Sequence, residues 1–347
     1  MSKKILVTGG AGFVGRRLVK FLLEKKHDVL VVDNIVLLTG GIDPKKGWPL
    51  YNPYDFKNFS FIKKDCRYWF EENSNKKFDY AFHLAAMVGG REIIENNPLV
   101  VAEDLSIDSH FWQWCSKAKP NKVVCFSSSA CYPIELQTRK NHRLLKEDDI
   151  SFHKYIGIPD MTYGWAKLTC EYLAQIAYQK YKINSICYRP FSGYGEDQDL
   201  TYPFPSICKR ILTNKNSKII NVWGSGNQSR DFIYIDDCIE GIYLTMDKIN
   251  NGSALNLSTG KLTSFINFAK ETCSIVGFNP KIKGTSTKPE GVFSRGGDTK
   301  KQIKLGFKYK TKLRDGIIKT LNFLEKKYDL KSCKKNLLIA RAVKCRT

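Results

Sequence analysis

The segment at residues 5–15 constrains the fold more than any other part of the chain. An apolar run at 5–7 leads into glycines spaced three apart, Gly9, Gly12 and Gly15, and the residues after them have helical character. In a strand–loop–helix unit such glycines permit a tight turn, close approach of a pyrophosphate to the backbone, and close packing of helix on strand. The helix N-terminus then offers N–H groups to the phosphates. The predicted cofactor residues of this loop are Gly9, Gly12, Phe13, Val14 and Gly15.

The first half of the chain alternates short apolar runs with amphipathic segments, which is typical of a parallel sheet covered by helices. Strands are predicted at 4–8, 28–33, 59–62, 80–83, 122–127 and 185–188. Helices are predicted at 14–25, 98–118, 163–180, 206–212, 235–248 and 264–276. Beyond about residue 191 the pattern becomes irregular. We therefore expect an α/β fold, a doubly wound parallel sheet with a smaller C-terminal substrate lobe.

The predicted domain boundaries follow this change of pattern. Residues 1–190 are expected to form the cofactor domain, and 221–258 are expected to return to it. Residues 191–220 and 259–330 are expected to form the substrate lobe, and 331–347 a loosely attached basic tail.

A carboxylate closes the second predicted strand. Asp33 at this position would accept hydrogen bonds from the adenosine ribose hydroxyls and repel a 2′-phosphate, which favours NAD over NADP. Arg16 and Arg17 in the following helix keep NADP open as an alternative. The other cofactor candidates near these strand ends are Asn34, Asp65 and Cys66. For Asp65 an exposed loop acid is the alternative interpretation.

Tyr163 and Lys167 lie one turn apart in a predicted helix. On one helix face the ammonium can lower the pKa of the phenol toward working pH. A serine at the end of the fifth strand, in the run Ser127-Ser128-Ser129, could share the proton. Such a set forms a general base for a sugar or alcohol hydroxyl. By itself the spacing is equally typical of any amphipathic helix, so the decision rests on the other motifs.

The chain is strongly basic, with 56 Lys and Arg against 34 Asp and Glu and a net charge of +22. Nucleic-acid binding, an anionic substrate and a lysine-rich proteome are the alternative explanations. The lysines are dispersed and no nucleic-acid-binding signature accompanies them, so no nucleic-acid partner is predicted. The charge would still concentrate a phosphorylated ligand.

The sequence predicts neither a membrane segment nor a metal site. No apolar run reaches the roughly 18 residues of a transmembrane helix. The N-terminus passes directly into a strand, which is unlike a signal peptide. The 11 cysteines contain no C-x-x-C pair, so reduced thiols are expected. We expect a cytoplasmic protein without a membrane partner.

Several motifs in a fixed order resemble the extended short-chain dehydrogenase/reductases, specifically the NAD-dependent nucleotide-sugar epimerases and dehydratases. They are the glycine loop, His83-Leu84-Ala85-Ala86, the serine run, Tyr163 with Lys167, Tyr188-Arg189-Pro190-Phe191, the run WGSGNQSRDFIYIDD at 223–237, and Arg295 with Asp298. The resemblance implies a Rossmann-like fold, NAD as cofactor and a nucleotide-diphosphate sugar as substrate. It also implies a homodimer through the helices at 98–118 and 163–180.

The resemblance assigns roles residue by residue. Tyr163 would be the base, Lys167 would hold the nicotinamide ribose, and Ser129 would bind the reacting hydroxyl. Arg230 and Arg295 would clamp the substrate diphosphate, a role that suits guanidinium groups. The remaining positions implied are Leu84, Ala85, Ala86, Arg189 and Pro190 for the cofactor, and Met87, Gly89, Gly90 and Ser192 for the substrate.

Within this family the segments 85–90 and 128–131 resemble GDP-mannose 3,5-epimerases. The matching cysteine of those enzymes is an acid/base on sugar ring carbons, so Cys131 is a candidate for that role as a partly exposed thiol. A small filler at a strand end is the alternative interpretation. The second acid/base of those enzymes is a lysine, which the segment 194–202 lacks. The possible substitutes are Glu196, Asp197, Asp199 and Tyr202.

Different reactions of a transient 4-keto sugar stay open. Proton removal beside the ketone by Cys131 would give epimerisation at C3 or C5. Rotation of the keto sugar and reduction on its other face would give a 4-epimerase in which Cys131 is idle. The pair Ala130-Cys131 argues against a 4,6-dehydratase, which needs an acid there. A catalytically silent RNA- or protein-binding protein is the alternative from another class.

Overall fold

A seven-stranded parallel sheet forms the centre of the computed structural model, which describes residues 2–285 and 291–330. Its strands are β1 (Lys4–Thr8), β2 (Asp28–Asp33), β3 (Phe59–Lys63), β4 (Tyr80–His83), β5 (Lys122–Phe126), β7 (Ser185–Pro190) and β12 (Asn251–Leu257). They lie in the order β3-β2-β1-β4-β5-β7-β12. The order reverses between β1 and β4, and ligands bind at this kind of switch point in open α/β sheets.

Helices cover both faces of this sheet, which explains why its strands are apolar on both sides. On one face lie α1 (Phe13–Glu24) and α8 (Ile235–Thr245), and on the other α2 (Cys66–Glu72), α5 (Glu103–Ala118) and α6 (Met161–Tyr181). The short helices α3 (Arg91–Asn96) and α4 (Pro98–Val101) precede α5. The sheet is therefore doubly wound and Rossmann-like, as predicted.

The later part of the chain builds a smaller body with a core of its own. Its helices are α7 (Pro203–Thr213), α9 (Phe265–Val276) and α11 (Leu313–Lys327), whereas α10 (Lys300–Lys304) packs against β12 of the main sheet. Its short strands are β8 (Gly193–Tyr194), β9 (Ile219–Trp223), β10 (Ser229–Asp231), β11 (Ile233–Tyr234), β13 (Leu262–Ser264), β14 (Lys281–Thr285) and β15 (Ser294–Gly297). They are joined by β6 (Leu144–Leu145), which belongs to the connector before α6. The helices α7, α9 and α11 pack together over an apolar cluster that includes Phe204, Phe268 and Leu321.

The predicted elements agree with the structure within a few residues, with two differences. The predicted helix at 98–118 is divided at Ala102 into α4 and α5. Of the segment 221–258, α8 and β12 join the main sheet layers, but β9 pairs with β14 and β10 pairs with β13 and β15 in the smaller body. The predicted basic tail at 331–347 lies outside the described residues. Within residues 2–285 and 291–330, no helix has both the length and the apolarity to span a bilayer.

Candidate active site

A cavity of about 1080 Å³ opens at the carboxyl ends of the central strands, between the sheet and the smaller body. Its walls include the glycine loop, the strand ends after β2, β4, β5 and β7, and the start of α6. Most of the predicted site residues line it: Gly9, Gly12, Phe13, Val14, Gly15, Asp33, Asn34, Asp65, Cys66, Leu84, Ala85, Ala86, Met87, Gly89, Ser129, Tyr163, Pro190, Ser192, Arg230 and Arg295. Lys167, Cys131, Arg189 and Gly90 do not belong to its lining.

The glycine loop is packed so closely that side chains would not fit. Gly9 has φ +74°, and a Cβ added there would lie 2.5 Å from the Ala85 nitrogen. A Cβ on Gly15 would lie 2.3 Å from the Gly9 carbonyl oxygen. The loop therefore presents bare backbone at the N-terminus of α1, which is the surface that a pyrophosphate group requires.

Asp33 stands at the end of β2, beside this loop. Its Oδ2 accepts a hydrogen bond from the Ala11 N–H at 2.9 Å, and its Oδ1 accepts one from the Ile35 N–H at 2.7 Å. Burial raises the pKa of Asp33, and these two hydrogen bonds oppose the shift. The carboxylate is thus held in place at the cavity wall, where ribose hydroxyls could donate to it.

Arg16 and Arg17 already form ion pairs with carboxylates from the segments at 196–197 and 236. Asp197 bridges them, with Oδ2 at 2.8 Å from Arg16 Nη2 and Oδ1 at 2.9 Å from Arg17 Nη2. Arg17 also contacts Glu196 at 2.7 Å and Asp236 at 3.2 Å. Because these carboxylates balance both guanidinium charges, the two arginines lend little support to a 2′-phosphate site and hence to NADP.

Asp65 and Cys66 both line the cavity beyond β3. Asp65 accepts the Arg67 N–H at 2.9 Å as the N-cap of α2, and its carboxylate pairs with Arg67 Nη2 at 2.7 Å. Desolvation would raise the pKa of Asp65, but the hydrogen bonds and charge of Arg67 hold it below its ordinary value. The side chain of Asp65 thus has a structural partner in addition to any adenine contact.

Tyr163 lines the cavity together with Ser128 and Ser129. The helix α6 approaches the turn at Ser129–Cys131 closely because residue 164 is glycine: a Cβ there would lie 2.5 Å from the Ala130 carbonyl oxygen. Burial raises the pKa of Tyr163, whereas the charge of Lys167 and a hydrogen bond with Ser128 lower it. The hydroxyl that acts on the Tyr163 phenol is therefore that of Ser128, one residue before the predicted Ser129.

Lys167 lies behind Tyr163 and not at the cavity surface. Its residue exposure is 4%, and its Nζ lies 5.8 Å from the centroid of the Tyr163 ring. The same Nζ lies 3.4 Å from Asp104 Oδ2 on α5. Burial would lower the pKa of Lys167, but Asp104 and Asp108 together hold it above its ordinary value. The lysine therefore stays charged next to the phenol.

Cys131 is shut off from the cavity, so the expectation of a partly exposed thiol is wrong. The residue is 1% exposed, and its Sγ lies 3.1 Å from the Ser127 hydroxyl oxygen. Burial raises the pKa of Cys131, and the nearby Glu171 carboxylate raises it further. A neutral thiol in this place matches the alternative interpretation of a filler at the strand end.

Arg189 and Gly90 also have structural surroundings that differ from the prediction. Arg189 forms a buried ion pair with Glu171, with Nη2–Oε2 at 2.6 Å and Nε–Oε1 at 2.8 Å. It also donates to the Tyr132 hydroxyl at 3.0 Å. Gly90 packs on the loop before α7, where an added Cβ would lie 2.2 Å from the Thr201 carbonyl oxygen. Both residues shape the site from behind its wall.

The cavity lining carries an arginine cluster larger than the predicted pair, because Arg91 joins Arg230 and Arg295 there. Asp160 bridges Arg91 Nη1 and Arg295 Nη2, each at 2.8 Å. Burial would raise the pKa of Asp160, but these two arginines hold it below its ordinary value. Arg230 lines the same wall, and a Cβ on Gly291 would lie 3.4 Å from its Nη2. Sequence reasoning missed Arg91, although an arginine directly after the Gly89-Gly90 turn at a strand end was a usable signal.

The segment 194–202 holds the suggested substitutes for the missing lysine. Glu196 and Asp197 are occupied by Arg16 and Arg17, and Asp199 accepts the Thr201 N–H at 2.8 Å. Tyr202 lines the cavity, and its pKa is raised first by burial and then by the phenol of Tyr163. Of the four, Tyr202 is the one whose side chain lies near Tyr163.

A protein-family model, the NAD-dependent epimerase/dehydratase family, matches residues 5–258. This enzyme belongs to that family. NAD is its cofactor, and the residues present fit NAD. Gly9 and Gly15 leave no room for a Cβ in the glycine loop, and Asp33 places a carboxylate at the end of β2.

Relatives over nearly the full length agree with this assignment. The protein named "Uncharacterized UDP-glucose epimerase YtcB" from Bacillus subtilis (strain 168) is 29% identical over 334 residues. The match covers 94% of this chain and 99% of that protein. GDP-mannose 3,5-epimerase 1 of Oryza sativa subsp. indica is 25% identical over 324 residues, 90% of this chain and 79% of that one. The structure of MoeE5 in complex with UDP-glucose and NAD has a TM-score of 0.75 at 25% identity and covers 94% of this chain and 99% of that one.

Proposed function

We propose that this enzyme is a nucleotide-sugar 4-epimerase that acts through a transient 4-keto sugar. The observation that carries the proposal is the contrast between the side chains at the cavity wall and those behind it. Tyr163, Ser128 and Ser129 open on the cavity, whereas Cys131 is buried away from it. This arrangement favours chemistry at one sugar hydroxyl over proton transfer at C3 or C5 by the thiol.

Side chains of this protein can remove the proton of that hydroxyl and return it. Tyr163 as phenolate removes the proton of the sugar 4-hydroxyl, and Lys167 stabilises the phenolate because its charge lowers the pKa of Tyr163. Bound NAD supplies the redox chemistry, taking hydride from C4 and giving it back. The sugar turns over in the cavity between these two transfers, and Tyr163 then returns its proton to the new hydroxyl. The oxidation state and the proton count are restored, so the reaction is an isomerisation.

The proposed substrate is a UDP-sugar. Arg230 and Arg295 line the cavity and are suited to a diphosphate. The UDP moiety is suggested by the name of the relative YtcB and by the UDP-glucose bound to MoeE5. Arg91 extends this cationic wall toward Asp160 and α6.

Epimerisation in heavy water tests which carbon reacts. We expect a UDP-sugar incubated with the enzyme and NAD to give the C4 epimer without deuterium on any ring carbon, because the hydrogen moves as a hydride that never exchanges with solvent. The product is analysed by NMR. The variant Cys131→Ser is expected to keep the turnover of the wild type within a few-fold, since the thiol makes no contact with the cavity.

Deuterium at C3 or C5 would overturn the 4-epimerase proposal and support the second candidate, a 3,5-epimerase. Tyr202 beside Tyr163 is the observation that favours that candidate, as a second acid/base in place of the missing lysine. If Cys131→Ser still incorporates deuterium and Tyr202→Phe does not, Tyr202 is the acid/base at the ring carbon. Loss of water to a 4-keto-6-deoxy sugar would contradict both candidates.

The exposed faces of α5 and α6 support a homodimer. Large apolar and aromatic side chains stand in solvent along these helices and the chain before them: Leu99, Leu105, Trp165 and Tyr172. Apolar groups grouped in this way are typical of a protein–protein interface. A second copy of the chain would bury them by pairing its own α5 and α6.

We expect the purified enzyme to sediment as a dimer and Trp165→Glu to sediment as a monomer, because a carboxylate in an apolar interface is costly. Trp165 is 48% exposed in the single chain, so the change leaves the core intact. Tyr181→Glu, at the end of the same helix, is the control and should remain dimeric. A wild-type monomer at micromolar concentration would disprove the dimer.

A further inference from the structure

Two buried carboxylates of α5 face the catalytic helix, and the reaction described above does not use them. Asp104 and Asp108 are one helical turn apart and are 0% and 1% exposed. Asp108 Oδ1 contacts His83 Nε2 at 3.1 Å, and His83 Nδ1 in turn contacts Thr8 Oγ1 at 2.7 Å. Buried aspartates without a function are uncommon because desolvation penalises their charge.

Asp104 joins the lysine to the cavity wall. Its Oδ2 lies 3.4 Å from Lys167 Nζ, and its Oδ1 accepts a hydrogen bond from the Met87 N–H. Met87 belongs to the cavity lining directly after β4. Among the described residues, the Lys167 ammonium is the charged partner of Asp104 Oδ2.

We propose that Asp104 is a positioning residue of the reaction: it holds the Lys167 ammonium in place and offsets part of the positive charge that acts on Tyr163. The proposal rests on the proposed role of Tyr163 as the base that removes the sugar proton. Lys167 carries the charge that favours the phenolate, and Asp104 places an opposite charge beside it. The balance of the two then decides the pH at which the phenolate is available.

The groups around Tyr163 show how this balance is composed. Its own helix contributes Lys167, α5 contributes Asp104, the serine turn contributes Ser128 and Cys131, and the loop before α7 contributes Tyr202. After burial, which raises the pKa of Tyr163, the largest influence is Lys167, which lowers it, followed by Asp104, which raises it. Asp108 acts on Lys167 and pairs with His83, one turn farther along α5.

The variant Asp104→Asn removes this charge and keeps both the shape and an oxygen that can accept the Met87 N–H. Without the carboxylate, the phenolate of Tyr163 forms more easily, so the acidic limb of kcat/KM against pH should move to lower pH by about one pH unit. Asp108→Asn is the matched control, a buried carboxylate on the same face of the same helix, and its limb should stay at the wild-type pH. Asp104→Glu retains the charge and should also retain the limb.

If the acidic limb of kcat/KM against pH stays at the wild-type pH in Asp104→Asn while kcat is lower at every pH, the proposal is overturned. Asp104 then has a purely structural role. Equal shifts in Asp104→Asn and Asp108→Asn would overturn it as well, because the contact would then have no special effect. If Asp104→Asn does not fold, Asp104→Ser is a smaller uncharged variant that tests the same shift. If the wild type converts no nucleotide sugar, the proposed function fails separately. The ionisation of Tyr163 is then followed by tyrosinate absorbance, as the difference from Tyr163→Phe.

Discussion

Tyr163→Phe is expected to lower kcat by roughly 10²- to 10⁴-fold, which is the usual contribution of a positioned general base. The phenylalanine ring fills the same space at the start of α6, but no atom remains that can take the proton of the sugar hydroxyl. Binding of NAD should persist, because the glycine loop and Asp33 are unchanged. The measurements are steady-state turnover of a UDP-sugar and NAD affinity by fluorescence titration.

The control for this variant is Tyr178→Phe on the same helix. Tyr178 lies four turns along α6, with its side chain partly in solvent and away from the cavity, so its turnover should equal that of the wild type. Near-normal turnover in Tyr163→Phe would show that another group, such as Tyr202 or Ser128, is the base.

Arg189→Met is expected to reduce the free energy of unfolding by about 3–5 kcal/mol, the usual cost of leaving one partner of a buried ion pair without its counter-charge. Glu171 is 1% exposed, and its other partner is the Ser127 hydroxyl, which cannot neutralise it. Urea denaturation followed by circular dichroism measures the loss. NAD affinity of the folded variant should be close to that of the wild type, because Arg189 lies behind the cavity wall.

A surface ion pair is the control for Arg189→Met. Arg143 contacts Asp149 at 2.7 Å with a side chain that is 54% exposed, so Arg143→Met should cost less than about 1 kcal/mol. An equally small loss in Arg189→Met would mean that the buried pair contributes little to stability. A sharp loss of NAD affinity in the folded variant would instead restore the predicted cofactor role of Arg189.

The motifs that touch backbone or cofactor could be read from the sequence because they depend on local rules. A glycine loop between a strand and a helix has few structural uses, and the strand ends of a parallel sheet meet at one edge. Gly9, Gly15, Asp33, Ser129 and Tyr163 therefore line one cavity. The residues of this kind are placed by secondary structure and topology, both of which leave periodic patterns in the chain.

The departures concern side chains whose surroundings come from distant segments. Cys131 follows the serine run in sequence, but the turn at Ser129–Cys131 directs its thiol into the core. Arg189 belongs to a recognised motif, but its partner Glu171 lies on another element. In both cases the spacing of residues along the chain does not predict which side chains of a short turn or strand end face the cavity.

The sequence by itself determined the α/β fold, NAD as the cofactor and the spacing of the tyrosine–lysine pair, because glycine spacing, strand–helix alternation and helical periodicity are local properties of the chain. Only the tertiary structure decided which charged groups surround that pair. Asp104 approaches Lys167 from α5, and Asp160 binds both Arg91, 69 residues before it, and Arg295, 135 residues after it. Electrostatic interactions depend on distance in space and on burial, and the order of the residues along the chain gives neither of these directly.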